Sequence, residues 1–223
     1  MKKLIILGTT AFSEIVCQSI EQDGLASIIA FAVEKEFLKE SIFCSRPVVS
    51  FEDLSELYDM SNVLVLNTIG YAQMNDIRKR ITTQCENLGY KQFTYISPRA
   101  KVDPMVSIGV GSIILPYVEI GANVLIGKGC ILFYGACITH HIEIGDYCFI
   151  SSGVVIGGCT SVANNCFIGI NATIANDLII ARYTFVGATC YVAKSTEEYS
   201  AYVKDATKKI DRWTSLDLIR LVN

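Results

Sequence analysis

The sequence predicts an α/β layer followed by a triangular prism of stacked β-coils, and three observations carry that expectation. Up to about residue 97, apolar residues alternate between strand-like runs and helical spacing. Beyond that point aliphatic residues recur at every sixth position, sixteen times without a slip. From residue 197 the period fades and the chain turns more polar. We therefore divide it into an α/β domain over 1–97, a hexapeptide β-helix over 98–196, and a C-terminal tail or capping helix over 197–223.

In the first segment, Lys3 to Leu7 reads as a buried strand, and Phe12, Ile15, Val16 and Ile20 have the spacing of one helix face. A strand follows at Ser27 to Val33, then a short helix around Phe51 to Tyr58 and a strand at Asn62 to Leu66. A longer helix from Met74 to Leu88 leads to a strand at Gln92 to Ile96. Strands separated by helices imply a small parallel sheet.

The second segment has Val102, Ile108, Ile114, Ile120 and so on at intervals of six through Val186 and Val192. Four residues after each comes a mostly small or β-branched side chain, as in Val118, Val124, Cys130 and Ala136. Neither a helix nor plain strand alternation repeats every six residues; a hexapeptide β-helix does. Each hexad makes one flat face, three complete a coil, and the aliphatic residue points inward. Backbone groups pair between coils at the usual strand spacing of about 4.8 Å. Cys130, Cys148 and Cys166 differ by eighteen, so they stack inside successive coils as packing groups. An open end of such a stack leaves unpaired backbone, and Ile210, Trp213, Leu216, Ile219 and Leu221 could line a helix that caps it.

Composition narrows the function. With a net charge of −3 and scattered Lys and Arg, the chain has no electrostatic footprint for nucleic acid. The run Leu4 to Leu7 is too short to span a membrane and carries no signal-type cleavage region, so a cytoplasmic location is expected. The nine cysteines form no Cys-x-x-Cys pair, and reduced thiols are the default. Zinc-binding prisms such as the γ-class carbonic anhydrases use three histidines, whereas this chain has two; no metal is expected.

Those two histidines, His140 and His141, are adjacent and follow the inward Ile138, which puts them at a coil corner pointing out. They are either surface residues without a task or part of a site. The residue one coil above His140 is Gly158, whose missing side chain would open a slot and expose backbone N–H groups. In the first βα turn, Gly8-Thr9-Thr10-Ala11-Phe12, a dinucleotide fingerprint would want glycine at positions 10 and 13, and both are replaced. The turn can be a plain connection, or an anion site at a helix N-terminus.

These features together resemble the bacterial nucleotide-sugar acyltransferases of the sialic acid O-acetyltransferase and bacillosamine N-acetyltransferase type. The likeness runs from Lys3-Leu4-Ile5-Ile6-Leu7-Gly8 through the sixteen hexads to Lys208-Lys209. It is most specific in Ile138-Thr139-His140-His141-Ile142-Glu143-Ile144-Gly145 and in Asn165-Cys166-Phe167-Ile168-Gly169-Ile170-Asn171-Ala172. The resemblance implies a Rossmann-like domain for a nucleotide sugar, a left-handed parallel β-helix, and a homotrimer whose grooves take acetyl-CoA. It makes His140 the general base, gives the Gly158 N–H to the thioester carbonyl, and lays Ile170, Ala188 and Lys208 along the coenzyme. Gly8, Thr9, Thr10 and Glu34 would meet the nucleotide and His141 the sugar. The chain departs from the family in four places. Gly8-Thr9-Thr10-Ala11-Phe12 stands where the family's nucleotide loop is commonly Gly-x-Gly-Gly-His. His141 stands where some relatives carry an acidic residue, Phe133 where bacillosamine-type members carry Asn, and Ala206-Thr207-Lys208 where Pro-Ala-Lys is common.

The resulting expectation is acyl transfer from acetyl-CoA to an amino or hydroxyl group of a nucleotide-linked deoxysugar, for surface polysaccharide or glycan biosynthesis. A neutral imidazole suits the base and a backbone N–H suits the oxyanion. Alternatives are acetyl transfer to a small free acceptor, serine or a simple sugar, and an inactive binding scaffold.

Overall fold

The computed structural model of the chain describes residues 1–206. It opens with β1 (Lys2–Leu7), α1 (Ala11–Gln22), β2 (Ala26–Val33), β3 (Ile42–Phe43) and β4 (Arg46–Ser50). The layer continues with α2 (Leu54–Leu57), β5 (Val63–Asn67), α3 (Asp76–Asn87) and β6 (Lys91–Gln92). The strands form one sheet in the order β3-β4-β2-β1-β5-β6, parallel except for the β3–β4 hairpin. Thr10 caps α1 through a capping box with Ser13, in which each side chain meets the other's backbone N–H. One face of the sheet, with Leu4, Ile6, Phe31 and Leu66, shares a core with Val16, Cys17 and Ile20 of α1. The other, with Ile5, Leu7, Ala32 and Val65, packs on Leu54 of α2 and Ile81 and Cys85 of α3.

The hairpin escapes the sequence reading for a physical reason. Ile42–Phe43 is two residues long, and Pro47, which cannot donate to a ladder, interrupts the strand-like run in β4.

Beyond β6 the chain winds into three parallel sheets of seven, six and five two-residue strands, each strand pairing with the one eighteen residues away over most of the stack. The inward aliphatics from Ile114 to Val192 form one continuous core, Ile114, Leu132, Ile138, Ile150 and Ile156 being fully buried. Each such side chain contributes roughly 1.5–3 kcal/mol of burial. The corners turn through a left-handed backbone residue every six positions from Tyr117 to Thr189, including Asn123 at φ +58 and His141 at φ +54. The stacked cysteines are closed off by corner carbonyls: Cys130, Cys148 and Cys166 donate their thiols to Gly145, Ala163 and Ala181 O, each at 3.1 Å. Burial pushes the Cys148 thiol well up, which keeps it protonated and inert.

Two boundaries differ from expectation. The strand read as Gln92–Ile96 is divided: Lys91–Gln92 pairs with β5, while Tyr95–Ile96 pairs with Ile113–Ile114 as the first rung of the prism. Ile96 stands six residues before Val102 and eighteen before Ile114, so this rung is in phase with the repeat, which the sequence reading begins one hexad later. At the other end, Ala201–Tyr202 pairs with Phe185–Val186, sixteen residues away, so a shortened coil extends the stack into the tail. The expected capping helix and Lys208 lie outside the described residues.

The outer side of the seven-stranded face, carrying Tyr95, Ile113, Ile131, Phe149 and Phe167, is covered by α1 and the sheet. Phe149, Phe167 and Phe185 stack along it, with Tyr71 of the layer against the first two. The α/β layer therefore occupies one face of the prism and leaves the opposite corner to solvent.

Candidate functional site

Gly8, Thr9, Thr10 and Glu34 converge on a cleft of about 700 Å³ at the carboxyl ends of β1, β2 and β5. In an open parallel sheet this is where the strand order reverses and the connections diverge to leave a crevice. Gly8, at φ +112, is required there: a Cβ would sit 3.2 Å from both Ser13 Oγ and Thr68 Oγ1. Phe37, Phe51, Ile69 and Ile77 give the cleft apolar walls. Across it Glu34 accepts two bonds from Arg80 of α3, at 2.7 and 2.9 Å. Arg80 was not foreseen from the sequence, because a helix arginine forty-six residues from its partner leaves no local signal.

His140, His141 and Gly158 come together at the corner between the six- and five-stranded sheets, the corner opposite the α/β layer. Both histidines are exposed and Gly158 is buried. The His140 ring lies flat on the glycine: a Cβ there would be 2.7 Å from Nε2 and 2.9 Å from Nδ1, and closer still to Cε1. The space expected as an open slot above His140 is thus filled by the imidazole itself. The corner backbone is held by the ladder, with His141 N–H donating to Ala122 O at 3.0 Å and Cys159 N–H to His140 O at 3.1 Å. The rings meet at 83°, their Nδ1 atoms 3.2 Å apart, and His141 Nε2 lies 3.1 Å from Asn123 Nδ2. Asn123 also escaped the sequence reading, although the eighteen-residue register applied to His141 leads straight to it.

Ile170 and Ala188 are again eighteen apart and share a corner, but a different one. That corner borders the seven-stranded face, and Ile170 is 54% exposed there. One chain thus brings together the cleft residues, the histidine corner, and the Ile170–Ala188 corner as three separate groups. Among the described residues no three His, Cys, Asp or Glu side chains gather as a metal site, and no helix is long and apolar enough to cross a membrane.

No protein-family profile matches the sequence, and no curated protein matches it. Solved structures do share the fold. The acetyltransferase domain of PglB from Neisseria gonorrhoeae FA1090 superposes with a TM-score of 0.82 at 20% identity, over 90% of this chain and 96% of that one. GDP-perosamine N-acetyl transferase from Caulobacter crescentus, as a histidine-to-alanine variant in complex with CoA and GDP-perosamine, gives 0.81 at 22%, over 90% and 93%. WeeI from Acinetobacter baumannii AYE gives 0.78 at 24%, over 90% and 94%. At these identities the likeness establishes a shared fold over nearly the whole chain, β-prism and α/β layer together.

Proposed function

We propose that this protein is an acyltransferase that moves an acetyl or other short acyl group from acyl-CoA to an amino or hydroxyl group of a nucleotide-linked deoxysugar, for surface polysaccharide or glycan biosynthesis. The observation that carries the reading is the His140 imidazole seated on the Gly158 main chain at an exposed corner, which sets a proton acceptor beside a backbone amide. It is supported by the neighbours, among which the N. gonorrhoeae domain has been solved with acetyl coenzyme A and the C. crescentus protein with CoA and GDP-perosamine.

In this mechanism His140 Nε2 takes the proton of the acceptor N–H or O–H as that atom attacks the thioester carbonyl carbon. The Gly158 N–H stabilises the oxyanion, the C–S bond breaks, and the proton passes from His140 to the departing thiolate. The cleft, a Rossmann-like nucleotide site, holds the sugar nucleotide through Gly8, Thr9, Thr10 and Glu34, and His141 stands beside His140 at the sugar end of the site. Ile170, Ala188 and Lys208 lie along the pantetheine arm.

We further propose a homotrimer of left-handed prisms in the cytoplasm. Neither His140 and the cleft nor Gly158 and the Ile170 corner meet within one chain, and a neighbouring prism would supply the missing half of each site. The test is thiol release from acyl-CoA with a panel of nucleotide amino-sugars and deoxysugars. His140→Ala should lower turnover by about two to four orders of magnitude while leaving the melting curve unchanged. Near-normal turnover in that variant would remove His140 from the mechanism, and failure to bind acetyl-CoA would favour a scaffold.

A further inference from the structure

Three polar groups run in a line out of the histidine corner. Asn123 and His141 occupy the same position in successive coils, both with left-handed backbone, so their side chains leave the prism in the same direction. Asn123 Nδ2 lies 3.1 Å from His141 Nε2, and His141 Nδ1 lies 3.2 Å from His140 Nδ1. A neutral imidazole has one N–H and one lone pair, so each link fixes the next.

Only two directions are open. If the amide presents its NH2 to His141 Nε2, that nitrogen is an acceptor and the His141 hydrogen sits on Nδ1. It is then donated to His140 Nδ1, and the His140 hydrogen is left on Nε2. If the amide presents its carbonyl oxygen, every hydrogen moves to the other side: His141 donates from Nε2 to Asn123 Oδ1, His140 donates from Nδ1 to His141 Nδ1, and His140 Nε2 keeps a free lone pair. The structure places Nδ2 on the His141 side, the first direction; a half-turn of the amide exchanges its O and N without changing its shape and gives the second.

We propose that Asn123 and His141 are positioning residues that set the tautomer of His140, with the Asn123 amide turned over from the orientation the structure shows so that its carbonyl oxygen faces His141. The choice of direction rests on the acyl-transfer reading, which needs a lone pair on Nε2. It is also the direction that survives protonation. Once His140 gains a proton at Nε2, its Nδ1–H still points at a lone pair of His141, and the Asn123 carbonyl dipole continues to draw positive charge along the line. In the reverse direction, a proton added at His140 Nδ1 would face the N–H of His141. The relay does with a neutral histidine and an amide what a carboxylate beside the base would do with charge.

Because the chain has only two histidines, the ring nitrogens can be read directly by long-range 1H–15N correlation on the intact protein, with His141→Asn assigning the pair. The expected spectrum has His140 protonated at Nδ1 and bare at Nε2, and His141 protonated at Nε2. Asn123→Gly, which suits the left-handed backbone, should leave the melting temperature in place, collapse His140 to a mixture of tautomers and lower kcat about 10–100-fold with KM unchanged. Asn123→Asp, which can only accept, should restore both the single tautomer and most of the turnover. A His140 ring protonated at Nε2 in the unmodified protein overturns the proposal, as does an Asn123→Gly protein with an unchanged ring spectrum. A protein that shows the expected spectrum but releases no thiol with any nucleotide sugar keeps the relay and sinks the acyl-transfer reading instead.

Discussion

At the scale of single residues, contact between His140 and Gly158 separates stability from chemistry. The atoms that a Cβ at position 158 would strike belong to the far end of an exposed side chain, so the ring can swing away. Because the obstacle is that exposed ring, Gly158→Ala should change stability by less than about 0.5 kcal/mol although the glycine is buried, while the displaced imidazole loses its place beside the amide. We expect turnover to fall at least tenfold with an unchanged melting temperature; equal losses in both would mean that the glycine serves packing. Tyr95 makes a complementary case. It is fully buried at the join between layer and prism, and its hydroxyl donates to Asp23 Oδ2 at 2.7 Å. Burial, with smaller help from Asp23, pushes its pKa from 10.0 up to about 12, and burial does the same to Tyr147. Below pH 10 both folded and unfolded chains keep these protons and the contribution to stability is complete. Between pH 10 and 12 only the unfolded chain ionises, so stability is lost as pH rises. Urea midpoints measured across that window should fall, and Tyr95→Phe should flatten the fall; an unaltered slope would show that Tyr95 is not responsible.

At the scale of elements, Arg78 ties α3 to the prism. Its side chain is fully buried with no carboxylate nearby among the described residues, and its five donors go to carbonyls: Gly129 at 2.9 Å, Ile69 at 3.1 Å, Gly70 at 2.6 Å, Tyr147 at 3.1 Å and Cys148 at 3.4 Å. Burial pulls its pKa down to about 10, which leaves it cationic at neutral pH. Asp76 at the start of the same helix accepts from Asn165 and Tyr183, at 3.0 and 2.9 Å, so two residues of α3 grip four successive coils. Arg78→Met would remove the charge and leave several buried carbonyls without partners, at about 1–3 kcal/mol each. We expect a loss of at least ~3 kcal/mol in urea unfolding and, because Ile69 and Gly70 lead into the cleft, weaker nucleotide binding in what remains folded; a loss under about 1 kcal/mol would show that the aromatic stack alone holds the two parts together. None of this grip was legible in the sequence. The hexad period announced the prism, its inward residues, its cysteine column and its histidine corner because each coil repeats the same local physics. Arg78, Arg80 and the Ile42–Phe43 hairpin depend on contacts between segments far apart in the chain or on strands of two residues. The Gln92–Ile96 run reads as one strand because its two halves are adjacent in the chain, and only the register of Ile96, eighteen residues before Ile114, assigns the second half to the prism.

At the scale of the molecule, the opposition between cleft and histidine decides how the protein can work. The α/β layer covers the seven-stranded face, and His140 projects from the corner where the other two faces meet. If acyl transfer occurs, a nucleotide sugar held by one chain must reach the imidazole of another, and a threefold arrangement of prisms brings each such corner toward a neighbour's layer. Two variants, each inactive alone, test this directly. His140→Ala lacks the base, and Thr9→Trp fills the cleft while keeping His140. Co-refolding them in equal amounts should produce mixed assemblies in which an intact corner meets an intact cleft at about a quarter of the sites, with a matching fraction of the unmodified activity. If both parts of a site came from one chain, no mixture of these variants would recover turnover at all. A mixture that stays silent while light scattering shows mixed trimers would therefore overturn the shared-site arrangement, and a monomer at active concentrations would exclude it without any mutation.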